Sequence, residues 1–189
     1  EHVLIGLVGP QIADSLQAHS IPARAISGRG VLSATKLTQL VDGSSVELGF
    51  VGEVTSVNAQ EIIAALSAGE VPVVSPVASD VDRDGALNIN ADLAAAAIAG
   101  ALDATSLIVM TDVAGIYRQW PDPDSLIEHI SRDELYAIKD TFTEGMAPKV
   151  SACLEAIDNG ARAVRIIDGR DPQAFSLALE NTGGTLVSA

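Results

Sequence analysis

The chain has 189 residues, of which 48% are hydrophobic and only 3% aromatic, and this length is ample for a buried core. Its 25 acidic and 11 basic residues give a net charge of −14, which argues against long-range attraction to nucleic acid or to an anionic membrane. The single cysteine, Cys153, excludes an internal disulfide and is expected to be a small core residue. With no bilayer-spanning apolar run and no signal-peptide pattern, we expect a cytoplasmic protein.

The first part of the chain alternates helical and extended patterns. Apolar spacing and breaker residues predict, in chain order, a helix over 11–18, a strand over 21–26, a turn at Ser27-Gly28-Arg29-Gly30, a β-hairpin over 46–54, a helix over 59–67 capped by Asn58 and ended by Gly69, and a buried strand over 71–77.

A polar stretch over 79–85 follows, in which Asp80, Asp82 and Asp84 alternate. Such a run resembles part of a calcium-binding loop, but no glutamate stands at the twelfth position. We therefore interpret this stretch as a solvated turn.

Asn88-Ile89-Asn90-Ala91-Asp92 then leads into the apolar run 93–102, which predicts an alanine-rich helix. Asp92 falls in the first turn of this helix. It either caps the helix or faces a cleft at the helix N-terminus, and the sequence leaves both interpretations open.

The second part of the chain continues the alternation. The predicted elements are a strand over 106–110, a rigid connection at Trp120-Pro121-Asp122-Pro123-Asp124, a helix over 133–138 capped by Ser131, a helix from Gly145 through Asn159, a strand over 163–167, a helix over 172–180 and a strand over 184–188. Alternating strands and helices predict an α/β fold with a mainly parallel sheet and right-handed crossovers.

Three features share one geometry. Asp92 stands at a helix start, Thr111-Asp112-Val113-Ala114-Gly115 at the carboxyl end of a strand, and Lys149 at another helix start. Ligands of open α/β sheets bind outside the carboxyl ends of the strands, so these features together suggest a site for an anionic ligand. A lysine there can offset the charge of a transferring phosphoryl group. A helix-capping aspartate and a solvated lysine remain the alternatives.

Three segments carry a resemblance to a known family: Asn88-Ile89-Asn90-Ala91-Asp92, Thr111-Asp112-Val113-Ala114-Gly115-Ile116-Tyr117 and Gly145-Met146-Ala147-Pro148-Lys149. In this order and spacing they resemble the amino-acid kinase superfamily, and within it the acetylglutamate kinase branch. Trp120-Pro121-Asp122 and Ile167-Asp168-Gly169-Arg170 agree with it as well. The resemblance implies a three-layer αβα sandwich with a β-hairpin, belonging to a homo-oligomeric enzyme of arginine biosynthesis.

The resemblance also implies roles for individual residues. Lys149 would stabilise the transferring phosphoryl group, Asp92 would orient the catalytic lysines, and Asn88, with Asn90 beside it, would contact N-acetyl-L-glutamate. The substrate nucleotide would be ATP, with Mg²⁺ held by its phosphates. Its adenine and ribose would lie near Thr111, Asp112, Val113, Ala114, Gly115, Ile116, Tyr117, Thr141, Phe142, Thr143 and Met146.

The sequence also departs from the family pattern. The family's Lys-x-Gly-Gly strand end, its His-Gly-Gly-Gly segment and the arginine that holds the substrate carboxylate do not occur in these residues. We therefore expect residues 1–87 to be the remainder of a substrate lobe and residues 88–189 a nucleotide-binding part. Gln173 stands near the place of a histidine found in arginine-inhibited members. A non-catalytic nucleotide-binding relative, or a sister kinase acting on a carrier-linked aminoadipate, remains an alternative.

Overall fold

A computed structural model describes residues 1–38, 47–142 and 146–189 of the chain. The chain divides into two compact units, Glu1–Ala94 and Ala95–Ala189. Both units contain helices and strands, although several strands follow one another with no α-helix between them, and parallel pairings outnumber antiparallel ones among the strands of the described ranges. The predicted α/β class is confirmed. Within the same ranges, no helix is both long and apolar enough to cross a membrane.

The first unit contains two sheets. Strands β1 (Ala23–Ile26) and β4 (Val71–Val74) pair in parallel. The second sheet has the order β3-β2-β5-β6, built from β2 (Leu32–Lys36), β3 (Gly52–Val57), β5 (Val77–Asp80) and β6 (Ala86–Asn88). In this sheet only the β2–β5 pairing is parallel.

Two sequence predictions in this unit need correction. The predicted strand over 71–77 is two strands in different sheets, broken at Ser75-Pro76. Proline lacks the N–H that a continuing ladder requires, and Val77 N donates to Ser75 O instead (2.8 Å). The β-hairpin predicted over 46–54 is wrong in its pairing, because β3 pairs antiparallel with β2. Residue 46 lies outside the described residues.

Helices α1 (Gly9–Ala18) and α2 (Gln60–Ser67) follow the predictions closely. Pro10 is the second residue of α1, but the π-helix over Leu4–Val8 runs directly into α1, so the missing N–H of Pro10 falls inside a continuous helix. The N-cap of α2 is Ala59 and not the predicted Asn58, which lies one residue earlier and accepts a hydrogen bond from Gln60 N (3.3 Å). Gly69 ends that helix with φ +75°, a conformation that glycine adopts without steric cost.

The acidic turn after β5 is not the fully solvated one predicted. The side chain of Asp80 is only 2% exposed and pairs with Arg83 Nε at 2.7 Å. Its Oδ1 also accepts a hydrogen bond from Asp82 N (3.0 Å). The hydrogen bond from the Arg83 guanidinium has the largest effect on the pKa of Asp80 and lowers it, and the hydrogen bond from the Asp82 amide lowers it further. This carboxylate therefore closes the turn over residues 80–83.

The second unit is one four-stranded sheet with the order β7-β9-β10-β8. The strands are β7 (Leu107–Thr111), β8 (His129–Ser131), β9 (Ala163–Asp168) and β10 (Thr185–Ser188), and only β9 and β10 pair antiparallel. Helices α4 (Arg132–Ile138), α5 (Ala147–Asp158) and α6 (Pro172–Leu179) accompany it, while α3 (Ala91–Ala101) crosses the boundary between the units. Cys153 is fully buried in the core of this unit, as predicted.

The cap of α4 is more complete than the sequence predicted. Ser131 Oγ accepts from Glu134 N, and Glu134 Oε2 accepts in return from Ser131 N at 3.0 Å. This reciprocal capping box satisfies two backbone donors at once. The backbone N–H of Ser131, first, and its hydroxyl (2.8 Å) both donate to the Glu134 carboxylate and lower the pKa of Glu134.

Candidate active site

The Asn88–Asp92 stretch turns the chain from β6 into α3. Asn90 Oδ1 accepts hydrogen bonds from Asp92 N (2.9 Å) and Leu93 N (3.2 Å), so Asn90 is the capping residue. Asn88 is exposed, and its backbone N donates to Phe50 O (2.7 Å). The Asp92 carboxylate is half-buried and has no hydrogen-bond partner in the part of the chain that the structure describes. Asp92 therefore does not cap its helix.

The loop after β7 is fixed from inside the second unit by Thr185. This buried threonine accepts a hydrogen bond from Ile116 N (2.8 Å) and donates one to Ile127 O (2.5 Å). Gly115 lies so close to the Thr185 hydroxyl that a Cβ at position 115 would overlap it. Gly115 and Ile116 thus belong to the packed base of the loop, and Ile116 is fully buried.

A cavity of about 670 Å³ opens beside this loop, entirely within the second unit. Tyr117 and Trp120 form part of its wall and meet edge to face, with ring centroids 5.1 Å apart and an interplanar angle of 71°. Among the described residues, the lining is formed by Asp112, Val113, Tyr117, Arg118, Gln119, Trp120, Thr141, Phe142, Met146 and Lys149. Aromatic and apolar walls with a few polar groups are typical of small-molecule sites.

Lys149 gives this cavity a positive region. It is the third residue of α5, and the N-terminus of a helix is the positive end of the helix dipole. The side chain is half-buried, and it forms no ion pair with residues 1–38, 47–142 or 146–189. An ammonium group and a helix N-terminus on one wall favour an anion such as a phosphate.

The ion pair between Asp168 and Arg170, here called the clamp, contacts the first residue of the loop after β7. Arg170 Nε and Nη2 donate to the two carboxylate oxygens of Asp168 at 3.0 and 2.9 Å, and Nη2 also donates to the carbonyl oxygen of Asp112. The hydrogen bonds from the Arg170 side chain and backbone lower the pKa of Asp168 to about 2. The sequence predicted this Asp-Gly-Arg turn as the end of a strand, and the resemblance included it in the family pattern.

The structure brings together most of the residues expected around the nucleotide. Asp112, Val113, Tyr117, Thr141, Phe142 and Met146 share the cavity with Lys149. Thr111 ends β7 and pairs with Asp168, and Ala114 is an exposed residue of the loop that does not line the cavity. Thr143 lies outside the described residues. Asn88, Asn90 and Asp92 belong to the first unit.

Sequence reasoning missed three residues of the cavity wall: Arg118, Gln119 and Trp120. The signal was the Trp-Pro-Asp-Pro-Asp connection, which predicted a rigid turn but not the direction in which it runs. Ser125 Oγ fixes that direction, because it accepts from Gln119 N (3.1 Å) and donates to Asp122 O (2.7 Å).

A second, smaller cavity of about 380 Å³ in the same unit is built around Arg165. The guanidinium donates to the carbonyl oxygens of Gly183 and Asn181 and to Asn181 Oδ1. Burial lowers its pKa. Through these contacts Arg165 holds the 181–184 loop, three of whose residues have positive φ. Within the described ranges, no three His, Cys, Asp or Glu side chains are grouped so as to hold a metal ion.

Comparison with known proteins identifies the class that this fold and cavity define. The amino acid kinase family profile matches residues 1–168, and the chain belongs to that family. It is 43% identical to the acetylglutamate kinase of Kineococcus radiotolerans over 190 residues, and 42% identical to that of an Arthrobacter species over 189. Each match covers 96% of the chain but only 63% and 61% of the relative's length. The resemblance found in the sequence is thereby confirmed.

Solved structures share this fold. The smu.665 protein of Streptococcus mutans superposes with a TM-score of 0.77 at 28% identity, covering 100% of this chain and 69% of that one. Carbamate kinase from Giardia lamblia, bound to AMP-PNP, gives a TM-score of 0.67 at 20% identity, covering 97% and 70%. At that identity the likeness concerns the fold alone, and it confirms the predicted carbamate kinase-like architecture.

Proposed function

We propose that this chain is part of an acetylglutamate kinase and supplies its nucleotide-binding portion. In the proposed reaction a γ-carboxylate oxygen of N-acetyl-L-glutamate attacks the γ-phosphorus of ATP. The new O–P bond forms as the β–γ phosphoanhydride bond breaks, and the products are an acyl phosphate and ADP. The attacking carboxylate is already an anion, so the reaction requires no general base.

One observation carries the proposal. The cavity of the second unit combines Lys149 at a helix N-terminus with an aromatic and apolar wall, in a chain over 40% identical to proteins named acetylglutamate kinase. The wall is suited to a nucleobase. The ammonium group is suited to the negative charge on a transferring phosphoryl group.

The remaining roles complete the proposal. Residues 88–189 would bind the nucleotide, residues 1–87 would belong to the substrate lobe, and Asn88 and Asn90 would contact acetylglutamate. The half-buried carboxylate of Asp92 does not cap α3, and it would orient the catalytic lysines. The Mg²⁺ of the reaction is carried by the ATP phosphates and offsets part of their charge. We propose a homo-oligomeric enzyme, in keeping with the family resemblance.

The test is ATP-dependent turnover by the complete polypeptide that contains this chain, with hydroxylamine trapping the acyl phosphate. Lys149→Ala should lower kcat/KM by roughly a hundredfold or more, because a charge contact made to the transition state is lost. Lys139→Ala is the matched control, since Lys139 lies over the Tyr136 ring (4.0 Å) and does not line the cavity. Equal turnover in both variants would remove Lys149 from the mechanism.

Two further measurements separate the alternatives. A complete protein that binds ADP in calorimetry but phosphorylates no acceptor would instead be a non-catalytic nucleotide-binding relative. A preference for a carrier-linked aminoadipate over acetylglutamate would identify the sister kinase. Higher kcat/KM for acetylglutamate than for the carrier-linked acceptor is the expected outcome.

A further inference from the structure

The turn after β9, residues 168–170, contacts the end of β7 and the residue that follows it. Thr111, the last residue of β7, pairs with Asp168, and Gly169 N donates to Thr111 O (2.8 Å). A Cβ at position 169 would lie 2.9 Å from Met110 Cβ, so only glycine permits this approach. The Arg170 guanidinium then reaches the carbonyl oxygen of Asp112.

Arg170 is itself held in one orientation. Its Nε and Nη2 engage both carboxylate oxygens of Asp168, and its backbone N donates to Asp168 Oδ1 (2.9 Å). The Arg170 side chain is 70% exposed, however, and an ion pair so exposed adds little to the free energy of unfolding. Because Asp168 fixes its planar guanidinium, Arg170 can instead present a hydrogen-bond donor in one defined direction. Its main effect is therefore on the position of Asp112.

The segment 112–117 has two anchors. Arg170 holds its beginning at the Asp112 carbonyl, and Thr185 holds its end at the Ile116 N–H. Three residues of this segment, Asp112, Val113 and Tyr117, line the larger cavity. Loss of either anchor would let the cavity wall move.

We propose that Arg170 is a positioning residue for the nucleotide cavity. Fixed by Asp168, it holds the Asp112 carbonyl and so sets the wall formed by residues 112–117. Arg170 does not line the cavity and acts through Asp112. This inference rests on the proposed function in one respect, which is that it takes the cavity as the nucleotide site.

The first test needs no catalysis. Hydrogen exchange in the complete polypeptide, followed by mass spectrometry, reports the opening of segment 111–117. Arg170→Gln should accelerate exchange there by roughly tenfold, the effect of losing one charge-assisted hydrogen bond. Arg162→Gln is the matched control, because the Arg162 side chain is similarly exposed (62%) and forms an ion pair with Asp103 (2.8 Å) away from the cavity. Unchanged exchange in Arg170→Gln would overturn the proposal.

The second test asks whether the wall matters for nucleotide. In Arg170→Gln the Kd for ADP, and the KM for ATP if turnover is found, should rise by roughly tenfold, with the acceptor KM within about twofold of the parent value. Faster exchange without any change in nucleotide affinity would overturn the positioning role. Failure of the parent protein to turn over acetylglutamate would contradict only the proposed function, since exchange and ADP binding are measured without it.

Asp168→Asn provides a second variant should Arg170→Gln fail to fold. It keeps the side-chain shape but removes the charge that orients the guanidinium. Exchange over 111–117 should again rise, by less than in Arg170→Gln, because Arg170 can still reach the Asp112 carbonyl. Parent-like exchange in a folded Asp168→Asn protein would overturn the claim that Asp168 fixes Arg170.

Discussion

Asn90 and Asp92 divide two tasks at the start of α3. Asn90 Oδ1 accepts the hydrogen bonds from Asp92 N and Leu93 N, at 2.9 and 3.2 Å, and so satisfies two orphan donors of the helix. The Asp92 carboxylate, half-buried at the second helical position, is left available for a ligand or a catalytic group. Their contributions to stability should therefore separate, because Asn90 stabilises the helix start through its side chain and Asp92 does not.

Substitution at these two positions tests that separation. Asn90→Ala should lower the free energy of unfolding by about 1 kcal/mol because the cap is lost. Asp92→Asn should change it by less than about 1 kcal/mol, since only a favourable interaction with the helix dipole is reduced. In the complete enzyme Asp92→Asn should lower kcat by at least roughly tenfold. Urea unfolding and acyl-phosphate trapping measure the two effects, and a larger stability loss in Asp92→Asn than in Asn90→Ala would contradict the assignment.

Thr185 should be more important for stability than its small size suggests. Thr185→Val keeps the shape but leaves the buried Ile116 N–H without its acceptor, at a cost of about 1–3 kcal/mol in unfolding free energy. Thr55→Val is the control, because the Thr55 hydroxyl donates to Ser33 O at an exposed position and should cost within about 0.5 kcal/mol. Equal losses measured by urea unfolding would show that the Thr185 bridge does not stabilise the loop.

Gly115 is expected to tolerate no side chain. Gly115→Ala would push a methyl group into the Thr185 hydroxyl and to 3.0 Å from Leu126 Cδ1, costing about 1–3 kcal/mol in unfolding free energy. Gly85→Ala is the control, because a methyl group at position 85 would have no atom within 4 Å. In a Thr185→Ala background the cost of Gly115→Ala should shrink. Strict additivity of the two changes would mean that the predicted clash is absent.

The ion pair between Asp168 and Arg170 makes a contribution to the free energy of unfolding that depends on pH. The pKa of Asp168 is lowered to about 2, so this contribution is present above the ordinary aspartate pKa and is lost as pH falls from about 4 to about 2. Carboxyl-carbon NMR titration of the complete protein should show the low pKa. It should return toward about 4 in Arg170→Gln and stay low in Arg162→Gln. A parent pKa near 4 would contradict the clamp.

The candidate site was predictable in part. Lys149 and the segment after β7 were found from the sequence, since a helix start and a strand end are local features. The wall residues Arg118, Gln119 and Trp120 were missed, because their direction depends on how the 119–125 turn closes on Ser125. The Arg170–Asp112 contact joins residues 58 positions apart and leaves no local pattern in the sequence.

The sequence by itself determined the α/β class, most helix boundaries, the cap at Ser131, and the family, because periodicity, capping residues and motifs act over a few neighbouring positions. Only the tertiary structure decided the break at Ser75-Pro76, the pairing of β3 with β2, and the choice of Asn90 as the cap of α3. Strand pairing and side-chain direction depend on residues distant in the chain. For the same reason, only the fold revealed that Arg170 and Thr185 fix the two ends of one loop.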